Sequence, residues 1–116
     1  MDQDKLQGTW RAVSIETGGS LVPAEVAATV RYIFNGDHVR LMEGDQPAGE
    51  GLIRLDPEAN PKAFDFTATA GPQAGTTVRG IYRVEGDTLT MCLGEERPST
   101  FSGAGPAALV ELSRIR

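Results

Sequence analysis

Gly8-Thr9-Trp10 heads the run Gly8-Thr9-Trp10-Arg11-Ala12-Val13-Ser14-Ile15-Glu16-Thr17, the first strand-like stretch of the chain. A Gly-x-Trp at this point, followed by many short strands, predicts an up-and-down β-barrel whose base closes on the tryptophan. The rest of the chain keeps that rhythm. Val30–Phe34 and His38–Met42 flank Asn35-Gly36-Asp37, where Asn-Gly supplies the positive φ of a tight hairpin. Gly49–Leu55 follows the Gly44-Asp45 turn. Lys62–Thr69 follows Asp56-Pro57-Glu58-Ala59-Asn60-Pro61, a loop with two prolines that cannot donate to a ladder. Thr76–Val84 follows the turn cluster Gly71-Pro72-Gln73-Ala74-Gly75, and Thr88–Leu93 follows Glu85-Gly86-Asp87. After a Gly/Pro/Ser-rich loop from Glu95 to Pro106, Ala108–Ile115 completes the series. Thr17-Gly18-Gly19-Ser20 breaks the first strand. Pro23–Ala28 is the one stretch with helical character, since proline suits a first helical turn and alanine favours helix.

Eight strands in sequential hairpins, spaced about 10–13 residues apart, predict an all-β fold: an eight-stranded antiparallel up-and-down β-barrel with one short helix after the first strand. Such a barrel has an interior that just fits side chains or one small ligand. Alternation supplies the inner face. Val30, Tyr32 and Phe34 share one side; so do Phe64 and Phe66, Val78, Gly80, Tyr82 and Val84, and Leu89, Met91 and Leu93. Trp10 joins Tyr32, Phe34, Phe64, Phe66 and Tyr82 on that face. Phe101, in the last loop, is expected to plug one end. Ile15, Ile33, Ile53 and Ile81 are expected on the opposite faces. Residues 1–7 read as a polar lead-in anchored by Leu6.

The 116 residues fit one domain spanning 1–116. A chain of this size buries roughly 65% of the surface its unfolded form exposes, enough for a core without disulfides or metal. Sixteen acids against eleven bases give a net charge of -5, with no clustered basic run, which argues against nucleic acid and against an anionic membrane surface. No window approaches the ~18 apolar residues of a membrane span. The single cysteine, Cys92, forms no internal disulfide. Met1-Asp2-Gln3-Asp4-Lys5 lacks an apolar leader core, so the chain as it stands reads as cytoplasmic, with a secreted mature form left open.

Five segments together carry a resemblance: Asp4-Lys5-Leu6-Gln7-Gly8-Thr9-Trp10; Tyr32-Ile33-Phe34-Asn35-Gly36-Asp37; Leu55-Asp56-Pro57 through Asn60-Pro61-Lys62-Ala63-Phe64-Asp65; Gly80-Ile81-Tyr82 with Gly86-Asp87; and Cys92 with Arg97-Pro98 and Phe101. In this order and spacing the chain resembles an uncharacterised bacterial lipocalin-like (calycin) domain family of planctomycete type. The resemblance implies a calycin-like eight-stranded barrel. It implies no activity; binding of a small hydrophobic ligand is the default by analogy with lipocalins at large.

Trp10 is expected to plug the base and stack under Arg114 of the last strand. Cys92 reads as a buried, inert thiol, the commoner state of a lone cysteine: Arg97 is close in sequence and a pair with His38 is geometrically possible, but nothing in the sequence supports it. A single histidine, His38, makes a poor metal site. Arg97 invites two readings, a bidentate partner for a ligand carboxylate or a structural partner of Asp65. Acidic residues fall on turns, where carboxylates are solvated or make Asx turns, and no phosphate-binding loop is present. No catalytic residue, metal site or cofactor follows. The expected ligand-binding set is Tyr32, Phe34, Phe66, Tyr82, Met91 and Arg97; the expected structural set is Trp10, Asp65, Cys92 and Arg114.

These residues point to a small non-catalytic binding module of unknown ligand, provided the interior keeps a void above about 100 Å³. Two alternatives stay open. One is a packed interaction domain, as a homodimer or with another partner, using its outer isoleucines. The other is a small-cavity enzyme that steers a hydrophobic biosynthetic intermediate with Arg97, Tyr82 or Asp65.

Overall fold

The computed structural model describes residues 2–71, 74–105 and 107–115; Pro72 and Gln73 of one expected turn, Pro106 of the last loop and the terminal Arg116 lie outside them. The elements run α1 (Asp2–Leu6), β1 (Gly8–Thr17), β2 (Ser20–Leu21), α2 (Ala24–Ala27), β3 (Val30–Asn35), β4 (His38–Glu43), β5 (Gln46–Asp56), β6 (Ala63–Ala70), β7 (Thr77–Glu85), β8 (Thr88–Gly94) and β9 (Ala108–Arg114). Every strand pairs antiparallel, β3 through β9 each with the next. β1 pairs β3 on one side and β9 on the other, which closes eight strands into a barrel. The two-residue β2 only folds back onto the end of β1.

Strands sit where alternation put them, with bounds shifted by a few residues. The largest change is β5, which begins at Gln46 and includes Pro47. Pro47 is admitted because the β4–β5 register slips beside it, between Leu41 and Met42; an irregular position tolerates a missing N–H. At the β3–β4 hairpin Gly36 has φ 66°, the left-handed conformation that Asn-Gly provides at low steric cost.

The inner face forms one core around Trp10, Ala12, Phe34, Val39, Ile53, Phe64, Tyr82, Leu89, Met91, Val110 and Leu112. Two isoleucines expected outside belong to it. In β1 the register slips between Ala12 and Ser14, leaving Val13 as an extra residue. A one-residue bulge reverses which side chains face in, so Ile15 packs against the core while Val13 is 50% exposed. In β5, Ile53 is buried and its neighbour Leu52 is exposed. Ile33 alone is neither buried nor part of the core.

The outer wall of β7 and β8 is not bare. The loop over 95–105 runs across it: Cys92 Sγ donates to the Ser102 carbonyl at 3.3 Å, and the Arg83 guanidinium lies 4.9 Å from the Phe101 ring centre. Ile81, on the outer side of β7, is consequently buried. Phe101 therefore packs on the side of the barrel rather than plugging its end.

The lead-in forms a helix that polar composition alone did not signal. Asp2 and Asp4 in its first turn and Lys5 in its last turn match the helix dipole, and Leu6 is buried against the barrel base. Trp10 is fully buried there and donates its indole N–H to the Leu6 carbonyl at 2.9 Å. The Arg114 guanidinium lies 4.3 Å from the indole ring centre and donates to the Gln7 and Lys5 carbonyls. α1, Trp10 and the end of β9 seal one end of the barrel.

Candidate functional site

Near the other end the interior is open. A cavity of about 200 Å³ lies between the β4–β5 and β6–β7 turns and the middle of the barrel. Its deep wall is Phe34, Val39, Ile53, Phe64 and Met91, and its rim is Ala48, Gly49, Ala70 and Thr76. The reason for the void is local. Adjacent strands β5 and β6 carry Ala48, Gly49, Ala68 and Ala70, which are too small to fill the space that the larger side chains fill near Trp10.

Four of the six residues expected to touch a ligand line this cavity: Tyr32, Phe34, Phe66 and Met91. Tyr82 and Arg97 do not. Val39, Leu41, Ile53, Val78 and Leu93 line it as well. The small-residue pairs Gly49/Gly51 and Ala68/Ala70 were the legible signal for a void, since alternate positions on neighbouring strands share a face.

The two inward phenols differ sharply. Tyr82 donates to the Asp2 carboxylate at 2.8 Å, and Lys62 meets the same oxygen at 2.9 Å. Burial, then the bond to Asp2, pushes the Tyr82 phenol well above its ordinary value. Tyr32 makes no hydrogen bond within the protein among the described residues, yet its oxygen is not sealed off in the core. Tyr32 is one of the residues that line the cavity. Burial alone pushes this phenol up to about 12, so Tyr32 is a neutral hydroxyl across the physiological range.

Asp2, Tyr82 and Lys62 tie α1 to the barrel base. The hydrogen bond from Lys62, then that from Tyr82, hold the Asp2 carboxyl below its usual 3.8. A depressed carboxylate contributes stability that is present above the unfolded-state value and lost as pH falls through the folded one. The α1 clamp is thus expected to hold at neutral pH and to loosen below a pH of about 4. Asp2→Asn should loosen it at every pH and flatten that acid dependence. Amide exchange at Leu6 and Gln7 against pH checks this; an Asp2→Asn profile that still falls at acid pH would refute the assignment.

Arg97 is held from outside the barrel. It donates to the Phe64 and Gly80 carbonyls, each at 2.9 Å, and to the Asp65 carboxylate at 2.5 Å. Its guanidinium thus pins the last loop to β6 and β7. Cys92 is buried under the same loop. His38 pairs with Glu50 at 2.7 Å, with both side chains partly exposed. Among the described residues no three His, Cys, Asp or Glu side chains gather as metal ligands, and no helix is long and apolar enough to cross a membrane. No family model, curated protein or solved structure matches the chain.

Proposed function

We propose that this chain is a small lipocalin-like binding module that holds one small, mainly apolar molecule at the open end of its barrel and carries out no chemistry on it. The cavity is the observation that supports this: about 200 Å³, walled almost wholly by aliphatic and aromatic side chains. Pockets for larger ligands occupy about 300–1,000 Å³, whereas a dry apolar cavity of about 150 Å³ already takes up benzene. The occupant is accordingly one ring with a short substituent. The lipocalin-like segments beginning at Gly8-Thr9-Trp10 agree with this reading, and membership of the planctomycete-type family is part of the same proposal.

Catalysis draws no support from the cavity. Arg97, Asp65 and Tyr82, the residues that would steer an intermediate, do not line it and are bonded within the protein. The packed-interaction reading loses much of its motive too. Ile15 and Ile53 face the core, and Ile81 is buried on the outer wall.

Titration with toluene, followed by methyl NMR, tests the proposal. Saturable shifts are expected at Met91, Ile53 and Val39, with Val13 and Leu21 outside the barrel unmoved. Ala68→Leu places three extra carbons in the void and should weaken binding about tenfold or more, at least ~1.4 kcal/mol. An absence of saturable shifts in the unaltered protein, or equal affinity in Ala68→Leu, would exclude the cavity as the site.

A further inference from the structure

We infer that the occupant is a neutral molecule with a single hydrogen-bonding group, a small phenol, alcohol, aldehyde or ketone, and that the Tyr32 hydroxyl is the group that reads it. This inference rests on the cavity being a binding site. Three observations carry it. The first is charge. Among the described residues no lysine, arginine or histidine lines the cavity, and Glu50 is the one acidic residue that does. An anion entering this space would lose its water without meeting a cation, which costs far more than a neutral group loses. Small fatty or aromatic acids are therefore refused in their ionised form.

The second is hydrogen-bond satisfaction. The other inward phenol, Tyr82, is taken by Asp2. Tyr32 has no such partner among the described residues, although every fully buried side-chain polar atom among them does have one. A tyrosine hydroxyl both donates and accepts, so it matches a ligand hydroxyl or carbonyl equally well. The third is placement. Tyr32 sits on β3 opposite Trp10 of β1 and Leu41 of β4, which sets its ring between the sealed base and the open void. Thr76, the other hydroxyl-bearing residue of the lining, is exposed at the rim, where water already satisfies it.

The test uses ligands of one shape and different polarity: toluene, p-cresol, p-tolualdehyde and p-toluate, titrated at pH 7 into the unaltered protein and Tyr32→Phe. Removing the phenol should weaken p-cresol and p-tolualdehyde roughly 5- to 100-fold, because each leaves a polar group without a partner. Toluene should bind Tyr32→Phe as well as the unaltered protein or better, and this also shows the variant to be folded. The p-toluate anion should bind at least about 100-fold more weakly than p-tolualdehyde. If toluene binds but Tyr32→Phe leaves the cresol-to-toluene ratio unchanged, or p-toluate equals the aldehyde, the inference is wrong and the apolar site stands. If no member of the set binds, the inference and the binding reading fall together.

Discussion

Trp10→Ala should remove a large share of the chain's stability while leaving it folded enough to measure. Truncating a fully buried aromatic to alanine costs about 3–5 kcal/mol, against a total stability of about 5–15 kcal/mol for a domain. The site places the loss toward the upper end. Trp10 is wholly buried, and its strand is the one that pairs with both β3 and β9 to close the barrel. Its indole N–H bonds the Leu6 carbonyl, and its ring lies under Arg114, which binds the Gln7 and Lys5 carbonyls. One truncation therefore opens a void and loosens both the α1 seal and the end of β9. Trp10→Phe keeps most of the volume but strands the Leu6 carbonyl, a cost of about 1–3 kcal/mol. Urea unfolding should rank the unaltered protein above Trp10→Phe and Trp10→Phe above Trp10→Ala. A loss below about 1.5 kcal/mol in Trp10→Ala would contradict the closing role, because it is less than the methylene transfer terms alone predict.

The strands were legible because period-two alternation is a strong local signal. Phe64 with Phe66, and Leu89 with Met91, are core or core-packed residues on the face that alternation assigned them. Features that depend on one residue or one distant contact were not legible. Val13 is an ordinary member of an apolar run, and nothing in Ala12-Val13-Ser14 announces the bulge that turns Ile15 inward. Leu52 and Ile53 are adjacent and both apolar, so alternation alone does not tell their faces apart; Ile53 was expected outside, and the β5–β6 register turns it inward instead. Tyr32 and Tyr82 read alike along the chain. What separates them is Asp2, which reaches Tyr82 from 80 residues away, whereas Tyr32 lines the cavity. Pairing with Asp65 was one of two readings of Arg97, and the two side chains do bond; its bonds to the Phe64 and Gly80 carbonyls depend on how the last loop crosses the wall.

Gly51→Ala should be the second severe substitution, and Gly49→Ala its mild counterpart two residues away on the same strand. A Cβ on Gly51 would stand near the Thr67 carbonyl oxygen, 2.8 Å from the Phe66 ring and 2.9 Å from the Ala68 Cα. Two of those three atoms are backbone, so no rotamer change relieves the clash and β5 must move away from β6. Overpacking of a tight core costs about 1–3 kcal/mol, and a backbone obstacle places Gly51→Ala near 3 kcal/mol or above. A Cβ on Gly49 meets nothing closer than the Ala70 carbonyl oxygen at 3.8 Å, an ordinary contact. Gly49→Ala should therefore stay within about 1 kcal/mol of the unaltered protein, with reduced freedom of the unfolded chain working in its favour. Phe66 and Gly49 both line the cavity, so ligand binding separates the two effects. Gly51→Ala displaces the wall and should lose toluene along with stability, whereas Gly49→Ala narrows the rim of a sound barrel. Chemical denaturation with a parallel toluene titration checks both. A Gly51→Ala protein that matches Gly49→Ala in stability would mean that β5 and β6 separate easily. The small residues along those strands would then not define a preformed void, and the cavity would have to be made by its ligand.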